Sequence, residues 1–244
     1  MILAFTDFGF SGPYLGELRC AALREAPDVA YVDLLADAPA FRPDLAAYLL
    51  AALALRLQPG DVLLGVVDPG VGTERAALAV EVDDYWLVGP DNGLFEIAMR
   101  RAARVRAYRI TWRPRTLSTS FHGRDLFAPV AARLALGHRR GLAPVEPSRR
   151  PAWPDDLDRI VHVDHYGNLL TGRRAQTLDE TALLEVAGRT VRRARTFAAV
   201  GAGDLFWYEN SSGLVEIAEN GGSAAAALGI GPDAPVAITP GEPR

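Results

Sequence analysis

The sequence predicts two domains. The first is an α/β N-terminal domain with a mostly parallel central sheet over residues 1–140, and the second a smaller, all-β, barrel-like C-terminal domain over residues 157–244. Three observations carry this. Apolar runs of strand length alternate with helix-spaced segments through the first part, which is how βα units bury a parallel sheet. The stretch 141–156 is rich in proline and arginine and lacks periodicity, as linkers do. Beyond it, short strand-like runs recur between turns, the pattern of a small barrel or sandwich.

Taken in order, Ile2 to Phe5 reads as a strand stopped by Thr6-Asp7-Phe8-Gly9, and Leu15 to Glu25 has helical spacing. Tyr31 to Leu34 is a short strand, and Leu45 to Leu57 is an Ala/Leu-rich helix. Val62 to Val67 is a continuous apolar strand ended by Asp68-Pro69-Gly70. Ala77 to Val82 and Trp86 to Val88 form a hairpin turning at Asp83-Asp84. Helices are expected at Leu94 to Arg101 and Leu126 to Leu136, with a strand at Arg104 to Ile110 between them. The second domain offers strand-like runs at Arg159–Val163, Asn168–Thr171, Arg189–Val191, Asp204–Glu209, Leu214–Ile217 and Val236–Thr239, with a short helix at Ala224–Leu228.

Composition excludes several classes. The net charge is -4, and all 26 basic residues are arginines spread along the chain, so no basic stripe marks a nucleic-acid binder. The longest apolar stretch is too short to span a bilayer and ends in Arg56, and no signal peptide precedes the first strand, so a cytoplasmic protein is expected. The single cysteine, Cys20, excludes an intrachain disulfide and reads as a buried structural thiol within a helical pattern. No spacing suits a metal, no Gly-x-Ser-x-Gly elbow is present, and no cofactor is expected.

Four polar clusters sit at strand ends or loops, where open α/β sheets bind ligands. Asp7, after the first strand, can accept two hydrogen bonds from a ribose diol, or it can close an Asx-turn. Asp68, followed by a glycine-rich loop and Arg75, is either a used pair of charges or a structural pair holding a tight turn. His122, in the small, polar loop Ser118 to Asp125, can share protons near neutral pH or cap the next helix. Tyr166 and Asn168, in Asp164-His165-Tyr166-Gly167-Asn168, can stack on and hydrogen-bond a purine, or simply form a β-turn. Unaided, the residues describe an α/β enzyme with an Asp/Arg/His site able to bind a nucleoside, and the structural alternatives stay open.

Together and in order, these segments resemble the S-adenosylmethionine hydroxide adenosyltransferase family. The matching text includes Thr6 to Gly9, Val67 to Gly72 with Arg75, Gly89-Pro90-Asp91-Asn92-Gly93, Phe121 to Asp125 with Phe127-Ala128-Pro129, Asp164 to Asn168 and Ser211 to Asn220. The chain departs from the family pattern at Gly12, Ser212 and Leu34 to Asp37. The resemblance implies a homotrimer whose substrate sits between one copy's N-terminal domain and its neighbour's C-terminal domain. It makes Asp68, Arg75 and His122 the catalytic groups and Asp7 the ribose-binding residue. Tyr166 and Asn168 become adenine contacts, Ser211 meets the methionine portion and Phe41 covers the ribose side. Asp164, Glu216 and Gly221 complete the substrate-binding set. The implied reaction is water attack on the ribose C5′ of S-adenosyl-L-methionine, releasing adenosine and L-methionine. Two other readings stand beside it: a halogenase acting on the same substrate, and a non-catalytic sensor of adenosine or its methionine conjugate.

Overall fold

A computed structural model describes residues 1–240. The chain divides into two compact units, Met1–Ala152 and a second starting at Trp153. In the first, β1 (Ile2–Thr6), α1 (Tyr14–Glu25), β2 (Tyr31–Leu35), α2 (Pro43–Ala54) and β3 (Val62–Val66) build parallel βα units. The hairpin β4 (Ala77–Val82) and β5 (Tyr85–Pro90) follows, then α3 (Glu96–Arg101), β6 (Val105–Ile110), α4 (Ala128–Ala135) and β7 (Leu142–Pro144). The sheet order is β2-β1-β3-β5-β4-β6-β7.

This sheet is mixed, which corrects the expectation of a mostly parallel one. The pairs β1–β2, β1–β3 and β3–β5 are parallel, whereas β4–β5, β4–β6 and β6–β7 are antiparallel. The cause is the Asp83-Asp84 turn, too short for a crossover, so β4 must run back along β5. Asp83 takes a left-handed φ of 48° and its Oδ1 accepts the N–H groups of Ala103 and Arg104, which fixes where β6 begins.

The faces of the sheet bury differently. Ile2, Ala4, Leu64, Val66 and Val88 pack on one side against Leu18 and Ala22 of α1 and Val130, Ala131 and Leu134 of α4. Leu18 and Ala22 share one stripe of α1. Cys20 therefore falls on the other side and is exposed, against the expectation of a buried thiol. Helix α2 is buried from Leu45 to Ala52, as an all-apolar helix must be. Gly65 and Gly89, on neighbouring strands, leave a slot for the Phe95 ring; a Cβ on Gly89 would lie 2.1 Å from the Gly65 carbonyl. No helix among the described residues is long and apolar enough to cross a membrane.

The stretch after α4 is tied to this unit. Strand β7 pairs with β6, the Ser148 N–H bonds Asp91, and Arg149 bonds the buried Glu96 at 3.0 Å. The second unit holds β8 (Leu157–Val163), β9 (Leu169–Arg174), β10 (Leu183–Val186), β11 (Arg189–Arg193), β12 (Leu205–Glu209), β13 (Leu214–Glu219), α5 (Ala224–Leu228) and β14 (Ala237–Thr239). They form one sheet in the order β14-β10-β11-β12-β13-β9-β8. Its ends curl toward each other: Ile160 of β8 donates to Ala234, and Val236 donates to Asp158, so the sheet is a half-closed barrel. Its core gathers Ile160, Leu169, Leu184, Trp207 and Ile217.

Candidate active site

The order β2-β1-β3 puts a topological switch point between β1 and β3, the position where parallel sheets open a crevice beyond their carboxyl ends. Asp7 directly follows β1 and Asp68 lies two residues past β3, so the chain delivers one carboxylate to each side of that crevice. A cavity of about 350 Å³ opens there, lined by Asp7, Phe41, Asp68 and His122 among others.

Arg75 joins the polar groups. Its Nε donates to Asp68 Oδ1 at 2.7 Å, its Nη2 donates to Asp68 Oδ2, and the same Nη2 lies 3.1 Å from His122 Nδ1. Nη1 donates to the Ala76 carbonyl at 3.2 Å. The side chains of Arg75 and Asp68 are only 9% and 5% exposed, so the pair is almost desolvated. Guanidinium has donors only; Nδ1 must therefore accept, and neutral His122 carries its proton on Nε2. Burial, reinforced by the nearby Arg75 charge, holds the His122 imidazole below its usual proton affinity and keeps it neutral at neutral pH.

Local sequence explains why residues 47 apart meet. Gly72 has φ +81°, and a Cβ there would lie 2.4 Å from the Thr119 carbonyl, so only glycine lets the Arg75 loop pass against the His122 loop. Asp125 pins the latter loop by accepting the Ser118 N–H at 2.8 Å. Asn92, in the Gly89-to-Gly93 segment, donates its amide to the Val67 carbonyl at 2.8 Å, anchoring the residue before Asp68. His122 then enters a π-type turn, Gly123–Phe127, that runs into α4.

Asp7 and Phe41 form the opposite wall. Phe41 has φ 61°, a left-handed conformation that costs a bulky residue about 1–2 kcal/mol. Its N–H donates to Asp7 Oδ2 at 3.0 Å, and its ring stays 74% exposed over the cavity. Burial raises the Asp7 proton affinity, against the lowering effect of that N–H. Three aromatics that sequence reasoning missed complete the wall. Phe8, Tyr14 and Phe121 meet at ring separations of 5.6–6.0 Å. Phe8 and Phe121 stand inside the polar segments Thr6 to Gly9 and Ser118 to Asp125, and Tyr14 just ahead of the first helical run, with no spacing that sets them apart.

The second unit carries its own cavity, of about 750 Å³, which gathers Asp164, Tyr166, Asn168, Ser211, Glu216 and Gly221. Asp164 accepts the N–H groups of Tyr166 and Asn168 at 2.9 and 2.8 Å and the Asn168 amide at 3.0 Å. It thereby orients Asn168, which is nearly buried, beside Tyr166, which is 75% exposed. Gly167, at φ +83°, fits because a Cβ would strike Ser223 at the start of α5. Glu216 accepts from the Tyr208 hydroxyl and, at 2.8 Å, from the Asn210 amide. Tyr208 and Asn210 were not anticipated; the directly opposed pair Tyr208↔Glu216 on β12 and β13 was their only signal. Among the described residues, no group of three or more His, Cys, Asp or Glu could hold a metal ion.

Comparison with known proteins adds independent findings. A family model described as the SAM hydroxide adenosyltransferase N-terminal domain matches residues 2–142, and its C-terminal-domain counterpart matches residues 158–237. A protein from Salinispora tropica named (R)-S-adenosyl-L-methionine hydrolase is 37% identical, across 97% of this chain and 96% of its own. One of the same name from Thermus thermophilus is 38% identical, across 96% and 97%. Among solved structures, an uncharacterised conserved protein from Thermotoga maritima superposes with a TM-score of 0.86 at 27% identity, covering 98% of this chain and 99% of that one. A conserved hypothetical protein from Thermus thermophilus gives 0.77 at 36% identity, covering 98% and 99%.

Proposed function

The chain belongs to the SAM hydroxide adenosyltransferase family, and from that premise we infer that it hydrolyses S-adenosyl-L-methionine, in the (R) form that its relatives are named for, to adenosine and L-methionine. The observation that carries this reading is the Asp68–Arg75–His122 chain of contacts, whose Asp68 and His122 line the cavity at the β1/β3 switch point.

The sulfonium leaves as a neutral thioether, so no acid is needed at the leaving group. What the reaction needs is a water oxygen in line with the C5′–S bond, roughly 3–3.5 Å from C5′. In our reading, His122 donates its Nε2–H to one lone pair of that water while the other attacks C5′. The O–C5′ bond forms, the C5′–S bond breaks, and sulfur keeps the electron pair. Asp68 has spare lone pairs beyond those facing Arg75, and it takes the proton the water sheds. Arg75 joins acid and imidazole and fixes the imidazole tautomer. Asp7 holds the ribose hydroxyls under the Phe41 ring.

The second cavity suits the rest of the substrate. Tyr166 stacks on adenine, Asn168 reads its edge, and Ser211, Glu216 and Gly221 contribute further contacts. We assign the two cavities to sites completed between neighbouring copies in a homotrimer, as the family resemblance implies.

Incubating the protein with S-adenosyl-L-methionine and separating products by chromatography tests the reading. Adenosine and methionine should appear in equal amounts. His122→Ala should lower turnover by ~10²–10⁴-fold with little change in KM. Unchanged turnover in that variant would refute the role given to His122.

A further inference from the structure

The charged side chains that line the two cavities are carboxylates, and of these Asp68 is neutralised by its pair with Arg75. Among the residues lining the first cavity, the carboxylates are Asp7 and Asp68. Among those lining the second they are Asp164, Glu216 and Glu219. Among the described residues, neither lining contains an arginine, and the chain has no lysine. The arginines near the first cavity are already bonded; Arg113, whose charge also acts on His122, donates to the Ile110 and Trp112 carbonyls at 2.7 and 2.9 Å. Arg75 is held by Asp68, His122 and the Ala76 carbonyl. Arg42, beside Phe41, forks onto Asp44 at 2.8 and 2.7 Å. Arg124, beside Gly123, bonds Asp125 and Glu17, both at 2.6 Å.

Glu219 is held close to the backbone. Its carboxylate lies over Gly222, where a Cβ would come within 2.5 Å of Glu219 Cδ, so the missing side chain keeps an anionic head at the wall.

A site built to read a carboxylate offers a guanidinium fork, and it rejects analogues that lack the partner by orders of magnitude. The wall of the second cavity, where the resemblance puts the methionine portion at Ser211, carries Asp164, Glu216 and Glu219; it attracts the ammonium and repels the carboxylate. We propose that this enzyme also hydrolyses 5′-sulfonium adenosines whose sulfur carries an aminoalkyl chain with no carboxylate. The inference rests on the hydrolase reading above and names the breadth of its substrate class. The chemistry balances as before. Water oxygen bonds C5′, the C5′–S bond breaks, sulfur keeps the pair as an aminoalkyl methyl thioether, and one proton leaves the water.

The experiment measures kcat/KM, by adenosine release, for S-adenosyl-L-methionine and for its decarboxylated counterpart, S-adenosyl-3-(methylsulfanyl)propylamine. The expected value for the amine is equal to, or up to about tenfold above, that for the methionine conjugate at low salt, with the gap closing near roughly 0.5 M salt. An amine value below about a tenth of the methionine value would overturn the inference while leaving the hydrolase reading intact. Turnover of the amine alone would sustain the inference and defeat S-adenosyl-L-methionine as the substrate. Release of adenosine from neither would defeat both.

Discussion

Replacing Arg75 by Met should strand a carboxylate. Asp68 is 5% exposed at its side chain and depends on Arg75 at both oxygens, so its charge would be left almost dry and unpaired. Breaking such a pair costs about 3–5 kcal/mol. For a chain of this size that lowers the melting temperature by about 6–20 °C. The control is Arg104→Met, whose ion pair with Asp84 is 68% and 65% exposed and whose loss costs about 1 kcal/mol or less. Adding Asp68→Asn to Arg75→Met discharges the stranded group. The double variant should then be more stable than Arg75→Met alone, with a coupling of about 0.5–3 kcal/mol, while adenosine release stays lost in both. Urea unfolding of these variants and the parent chain, followed by adenosine assays, provides the comparison. An Arg75→Met protein no less stable than Arg104→Met would refute the idea that Asp68 needs its partner.

Because burial and Arg75 depress the proton affinity of His122, turnover should be flat above about pH 7 and fall only below the ordinary imidazole value of about 6.5. A pH profile of His122→Ala should lack that acid limb. The same shift makes the folded protein bind fewer protons at His122 than the unfolded chain. This group's contribution to stability is therefore present above the unfolded value and is lost as pH falls toward the depressed folded one. Phe41→Gly relieves the left-handed backbone that Phe41→Ala keeps, so the glycine variant should be more stable by about 1 kcal/mol; both should raise KM more than they lower kcat. If sites are shared between copies as proposed, mixing inactive His122→Ala and Asn168→Ala proteins under conditions that exchange subunits should restore activity, since some sites in the mixed assemblies would have both walls intact. No recovery after demonstrated exchange would exclude a site shared between copies.

Much of the site was legible because of where its groups fall in the sequence. Asp7 and Asp68 each end an apolar run, and in an α/β chain a strand's carboxyl end is where a ligand sits. Arg75 lies seven positions after Asp68, a spacing short enough to suggest a pair. The link from Arg75 to His122 was not visible, because it depends on Gly72 sliding past Thr119. Apolar periodicity reports burial and says nothing of strand direction. The Asp83-Asp84 hairpin was recognisable, yet its effect on β6 and β7 depends on which side of β4 the chain returns to. Strand β7 was hidden in proline-rich text, since an edge strand of three residues tolerates Pro144. Phe8, Tyr14 and Phe121 were passed over because a lone aromatic in a turn or at a helix start has no periodicity, and their meeting depends on two loops 107 or more residues apart in sequence folding together.

The central claim is that a water molecule held by Asp68 and His122 attacks the ribose carbon. Hydrolysis in water enriched with oxygen-18, followed by mass spectrometry of both products, tests it directly. The account predicts the label in the 5′-hydroxyl of adenosine and none in methionine. Label in methionine, or unlabelled adenosine, would contradict it.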